Sequence, residues 1–153
     1  MKIKDVMTAK PQTCSPDTTL AAAAALMWEA DCGVLPVVEQ GRLVGIVTDR
    51  DMYIALATRN TPASDVRVGE VARKDVVTCR PEDDVHAALA TMRQARVRRV
   101  PVVGIGGALV GLLSMNDLLL ATKSGGPVRP EEVVDTLQSI CAHQRPAARV
   151  VAA

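Results

Sequence analysis

Gly45-Ile46-Val47-Thr48-Asp49-Arg50-Asp51 and, 66 positions later, Gly111-Leu112-Leu113-Ser114-Met115-Asn116-Asp117 share one pattern: glycine, two apolar residues, a hydroxyl residue, two variable positions and an aspartate. In each, a β-prone apolar run ends at a Thr or Ser suited to capping a helix. The acidic residue then falls in the first helical turn, where the dipole favours negative charge. One such pattern is weak. Two make it the key to an internal repeat, because self-similarity at a fixed offset marks duplicated structural units.

Working outward, the correspondence extends to Thr13-Cys14 with Thr78-Cys79, Pro16 with Pro81, Met27 with Met92, and Pro36-Val37-Val38 with Pro101-Val102-Val103, each pair 65 apart. The offset grows by one where Gly41 faces Gly104, Gly106 and Gly107, and turns are where insertions are tolerated. Each copy reads as a short extended segment (12–14; 77–79) and then a helix. Thr18 and Asp83 stand at capping positions, and the apolar residues fall at Leu20, Ala24, Met27 and at Val85, Leu89, Met92. A strand follows (34–38; 100–103), then a Gly-containing turn, a second strand (43–48; 109–114) and a second helix (50–58; 115–122). That is β-α-β-β-α twice, an α/β (α+β) fold with repeats at 1–60 and 61–124. In the first copy the opening strand is the weaker one, since Pro11-Gln12 replaces Val76-Val77, as an edge strand tolerates.

The 153 residues include one Trp (Trp28), one Tyr (Tyr53) and no Phe, so the core is built from Val, Leu, Ile, Ala and Met in thin layers of helix on sheet. A formal charge of +1 gives no global field to gather nucleic acid or anionic lipid. No run approaches the roughly 18 apolar residues that span a bilayer, and Lys2, Lys4, Asp5, Thr8 and Pro11 leave no signal-peptide core, so a cytoplasmic protein is expected. Cys14, Cys32, Cys79 and Cys141 form no C-x-x-C pair, and only His86 and His143 could help complete a metal site, so the cysteines read as buried thiols. No nucleophile motif, metal-ligand spacing or P-loop is present, which predicts a protein without turnover.

Together with Asp5-Val6-Met7-Thr8, the two strand prolines and the paired Gly-x-x-Thr/Ser-x-x-Asp segments, residues 1–122 resemble the CBS-domain family. The resemblance implies two repeats packed sheet to sheet about a pseudo-twofold axis, with two clefts that accept AMP, ADP, ATP or a related adenosyl ligand. It implies that Asp51 and Asp117 take the ribose hydroxyls, that Thr48 and Ser114 lie near ribose or phosphate, and that Thr13 and Thr78 line the clefts. Arg98-Arg99-Val100-Pro101 resembles the family's basic pair, which reaches phosphates. The first repeat has Gly33-Val34-Leu35-Pro36 there, so the clefts are expected to be unequal. A homodimer assembled through the helices and a regulated partner protein are also implied. The residues admit plainer readings beside these: Thr48 and Ser114 as N-caps, the aspartates as first-turn charges, and the arginines as a solvated helix end. They also leave open a ligand-free interaction module, or a nucleic-acid module using Arg93, Arg96, Arg98 and Arg99.

After Lys123-Ser124-Gly125-Gly126-Pro127 the pattern changes, and 125–153 is read as a C-terminal helix with a tail. Pro130 opens an amphipathic segment with Val133, Val134, Leu137, Ile140 and Cys141 on one face, ending near Arg145-Pro146 and frayed from Ala147. A helix this short needs a surface, either its own repeats or a dimer mate.

Overall fold

The computed structural model describes residues 1–122 and 127–142. Its elements are β1 (Thr8–Ala9), α1 (Leu20–Glu29), β2 (Val34–Glu39), β3 (Arg42–Thr48), α2 (Asp49–Arg59), α3 (Val85–Ala95), β4 (Arg99–Val103), β5 (Leu109–Ser114), α4 (Met115–Ala121) and α5 (Pro130–Cys141), with 3-10 turns at Ile3–Asp5, Val68–Glu70 and Ile105–Gly107. The repeat is thus a pair of antiparallel hairpins, each preceded and followed by a helix. Gln40 and Gly41 both take positive φ, 50° and 77°, as a two-residue hairpin turn compatible with strand twist requires. The longer second turn uses the 3-10 turn Ile105–Gly107. Both hairpins bulge at the same place, between Val37 and Val38 and between Val102 and Val103.

The opening strands expected at 12–14 and 77–79 shrink to one residue each: Cys14 bridges Val37 and Cys79 bridges Val102, both in parallel. The chain turns immediately afterwards. Thr18 Oγ1 accepts from Ser15 N–H (3.0 Å) and Asp83 Oδ2 from Arg80 N–H (2.8 Å). These two residues therefore close the turn, and the helix caps fall one position later, at Thr19, which accepts from Ala22 N–H, and Asp84, which accepts from His86 N–H.

The segment leading into each repeat packs on the other repeat. Val85 N–H donates to the Met1 carbonyl (3.0 Å), and Thr8 pairs with Leu112 on β5. In the matching place Leu20 N–H donates to the Val66 carbonyl (2.9 Å), and Arg73 pairs with Ile46 on β3. Ile3 is accordingly buried among Val85, Leu89, Met92 and Leu113, while Val66 and Val68 are buried among Leu20, Met27, Leu35 and Val47. The crossings explain the glycine of the repeated pattern. A Cβ on Gly45 would lie 3.0 Å from the Arg73 carbonyl oxygen, and one on Gly111 would lie 2.4 Å from Met7 Sδ.

The two helical faces differ. α5 packs against α3 and α4, adding Val128 and Val133 to the second core with Leu137 and Ile140 against it, and burying Thr136. The buried stripe of α5 is narrower than expected: Val134 and Cys141 are exposed, because the 3.6-residue period turns them away from α3. In the first repeat the buried stripe of α1 is Leu20, Ala23 and Met27, and Ala24 is exposed although its counterpart Leu89 is buried. Among the cysteines, Cys14 and Cys79 are buried, and desolvation pushes the Cys14 thiol up to about 11. Cys32 is half-buried and Cys141 is exposed, contrary to the reading of all four as buried. Among the described residues no helix is long and apolar enough to cross a membrane. α5 ends at Cys141, with Ala142 already extended, short of the end expected near 145, and the fraying expected from 147 lies outside the described residues.

Because Val128 and Val133 belong to the second core, deleting 127–153 is expected to loosen that repeat rather than leave both untouched. Val133→Ala should cost on the order of 2 kcal/mol. Denaturant unfolding with amide exchange checks this: protection should fall in α3 and α4 before α1 and α2.

Candidate functional site

Each repeated pattern closes a capping box at the start of its second helix. Thr48 is extended (φ −114°, ψ 159°); its Oγ1 accepts from Asp51 N–H (3.1 Å), while Asp51 Oδ2 accepts from Thr48 N–H (3.2 Å) and the Thr48 hydroxyl (2.8 Å). Ser114 and Asp117 repeat this, with Asp117 Oδ2 accepting from Ser114 N–H and from its hydroxyl at 2.7 Å each. The capping and ligand-binding readings are therefore compatible. Only Oδ2 is committed to the cap, and Oδ1 of each half-buried carboxylate remains for another donor.

In the first repeat Oδ1 already has a partner. Arg73 Nε (3.2 Å) and Nη2 (2.7 Å) both donate to Asp51 Oδ1, with Arg73 held in place by its bridge to Ile46. Burial pushes the Asp51 carboxyl up, but the hydrogen bonds from Arg73 and Thr48 and the guanidinium charge outweigh it and hold the group below its usual range. The residue at the equivalent place in the second repeat is Thr8, and among the described residues no side chain donates to Asp117 Oδ1. Arginine approaches that site from a different direction: Arg99 stands directly across the β4–β5 ladder from Ser114, where the first repeat sets Val34 across from Thr48.

Arg98 and Arg99 are divided. Arg98 Nη2 reaches Cys141 Sγ on α5 (3.4 Å), as Arg93 Nη2 reaches Thr136 Oγ1 (3.2 Å) and Arg96 Nη1 the Ala142 carbonyl (3.4 Å). Three of the four arginines in the basic stretch thus face the C-terminal helix. Thr78, in contrast, lines a cleft of about 220 Å3 between the repeats, with Leu43, Val44 and Gly45 of β3, Lys74 and Val76 of the crossing segment, and Val103 of β4. From Gly45, β3 runs about 10 Å to Thr48, so the Thr48–Asp51–Arg73 cluster stands at one end of that wall. Thr13, its counterpart, is half-buried beside Cys14. Sequence reasoning missed Arg73 and Lys74. Carrying the 65-residue offset back to Asp5-Val6-Met7-Thr8 sets Glu70-Val71-Ala72-Arg73 against it and exposes the substitution.

Chemically the site offers carboxylate acceptors for vicinal hydroxyls, hydroxyls at helix N-termini and nearby cations, a set suited to holding a hydroxylated anion. The Cys14 and Cys79 thiols are buried with their pKa values raised, which keeps them protonated and inert. Among the described residues no three His, Cys, Asp or Glu side chains converge as a metal site would need. At 220 Å3 the cleft is smaller than the roughly 300 Å3 of ordinary small-molecule pockets, so an occupant must sit partly outside or widen it.

The family described as CBS domain matches residues 3–58 and 68–124. The chain is 36% identical over 116 residues to the CBS domain-containing protein YhcV of Bacillus subtilis (strain 168), covering 76% of this chain and 81% of that protein. Two solved structures share the fold. One is the CBS domain pair of protein MJ0100 in complex with 5-methylthioadenosine and S-adenosyl-L-methionine (TM-score 0.70, 26% identity, 77% of this chain and 92% of that one). The other is CBSX2 in complex with AMP (TM-score 0.68, 25% identity, 78% and 94%).

Asp51 gains its stability from the ionised form: the contribution is present above its unfolded pKa and is lost as pH falls through the lower folded value. Arg73→Gln should therefore destabilise the protein by about 1 kcal/mol at neutral pH, an amount kept small by the exposure of the arginine. The deficit should shrink below about pH 4 as the carboxylate protonates in both variants. Melting curves between pH 2.5 and 7 test this; a deficit that does not change with pH would show that Arg73 acts through packing.

Proposed function

This chain belongs to the CBS domain family, and from that premise we propose that it is a regulatory module that binds adenosine nucleotides in the clefts between its repeats, without turnover, and passes occupancy to a partner protein. The observation that carries this is the duplicated capping box, in which a carboxylate keeps Oδ1 turned away from its cap beside basic side chains. The adenosyl ligands of the MJ0100 pair and the AMP of CBSX2 support ribose recognition by Asp51 and Asp117. Thr48, Ser114, Thr13 and Thr78 would line the two sites. Because the nucleotides are cytoplasmic metabolites, the module works in that compartment.

The sites are unequal for a reason different from the arginine pair that the sequence offers. At Asp51 a ribose must displace Arg73, whose guanidinium is recovered only if the ligand brings a phosphate for it and Lys74 to bind. At Asp117 the acceptor is ready, and Arg99 lies beside Ser114. The Asp51 cleft therefore selects AMP, ADP or ATP, and the Asp117 cleft also accepts an uncharged adenosine. A ligand-free interaction module is the second reading, favoured by the small cleft and by the occupied Asp51 oxygen. Either reading includes a homodimer. Tyr53 and Ile54 on α2 and their counterparts Leu119 and Leu120 on α4 are all exposed, Tyr53 at 74% and Leu120 at 78%, and a second copy would cover them.

Calorimetry separates these readings. Adenosine should bind one site and AMP two. Asp117→Asn should abolish the adenosine site, and Arg73→Thr should open a second one while weakening AMP at the first by about tenfold or more. If no adenosine nucleotide shifts the melting curve or releases heat, the interaction-module reading stands. Sedimentation of Tyr53→Lys with Leu120→Lys should show a monomer where the parent is a dimer.

A further inference from the structure

The second repeat shows what its helical face is shaped to hold. α5 lies against α3 and α4, with Val133 clustered beside Leu89, Met92 and Leu118 and its last turn held by Arg96 and Arg98. The repeat offset carries this seat onto the first repeat: Leu89, Met92, Arg93, Arg96, Met115 and Leu118 become Ala24, Met27, Trp28, Asp31, Asp49 and Met52. Those six residues, with Cys32 and Gly33, line an open groove of about 500 Å3. Among the described residues, the scaffold that is filled by a helix in one repeat is therefore uncovered in the other.

The groove has an apolar floor, with Met27 and Met52 almost fully buried, and the small Ala24 stands where the second repeat has Leu89. Trp28 stands at its rim, 88% exposed, as an aromatic anchor without a pocket. The charge is reversed. In the second repeat a helix C-terminus, with its partial negative charge and the Ala142 carbonyl, meets arginine; the same pose here would bring it against Asp31 and Asp49. α5, whether from this chain or from a second copy, is thus matched to the second seat and repelled by the first.

We propose that the first-repeat groove docks an amphipathic helix of another protein, with apolar residues at i, i+3 or i+4, and i+7 and with Lys or Arg in its last turn. Asp31 and Asp49 receive the cationic end, the apolar stripe fills the space over Ala24, and Trp28 closes over it. This docking is independent of ligand in the clefts, which lie between the repeats rather than on this face.

Trp28 is the only tryptophan, so its emission reads the groove directly. The probes are two synthetic, end-blocked peptides carrying the α5 stretch Pro-Glu-Glu-Val-Val-Asp-Thr-Leu-Gln-Ser-Ile, one ending in two lysines and the other in two glutamates. The lysine peptide should shift Trp28 emission to shorter wavelength with saturation and bind about fivefold tighter than the glutamate peptide. Asp31→Arg, which leaves Asp49 opposed by a cation, should erase that preference. It is a safe substitution, since Arg96 occupies the matching left-handed position at φ 55° against 48° for Asp31. Ala24→Phe, which fills the groove without altering charge, should abolish the shift. Equal affinity for the two peptides, no shift with either, or an emission that moves on diluting the Tyr53→Lys, Leu120→Lys variant alone would overturn the proposal, the last by showing that a second copy occupies the groove.

Discussion

The structure depends on one exchange: the segment entering each repeat leaves its own hairpin and pairs with the other. Thr8 lies on Leu112 and Arg73 on Ile46, and the apolar residues upstream, Ile3 and Val68, are each fully buried in the opposite core. Neither core is complete without the other repeat, so folding couples two units that would each be marginal alone. The exchange also accounts for the glycine heading each repeated pattern, because a side chain there would collide with the crossing segment.

The same exchange builds the site. A carboxylate at the third position of a helix is ordinarily a local capping device, and in both repeats it still serves as one. It becomes a candidate recognition group because the crossing segment sets a residue from the other half of the chain at the same place beside each pattern. In the first repeat that residue is Arg73, and the carboxylate is ion-paired. In the second it is Thr8, among the described residues no side chain donates to the second oxygen, and Arg99 stands across the ladder from Ser114. Two repeats with matching elements and strand register thus carry different electrostatics.

Divergence on the outer faces follows the same logic. The helices of the two repeats have the same layout, but Arg96 and Arg98 hold the terminus of α5 and Arg93 its middle, while Asp31, Gly33 and Trp28 stand at the matching places of the first repeat. Charge at the end of a groove selects among helices that are equally apolar, because apolar contact has no direction and a helix terminus does.

The sequence by itself determined the duplication, the order of the elements, and the paired Thr48–Asp51 and Ser114–Asp117 caps, since each of these is set within a few residues by periodicity, turn chemistry and helix capping. It also placed a helix after Pro130, although not its partner. Only the tertiary structure decided that Arg73 sits on Asp51, that Arg98 and Arg99 part company, that Ala24 is exposed while Leu89 is buried, and which repeat α5 covers. Each of these turns on contacts between residues tens of positions apart, made where a crossing segment or a packed helix happens to bring them. Local propensity carries no record of such contacts, because their free energy exists only once the two halves of the chain are together.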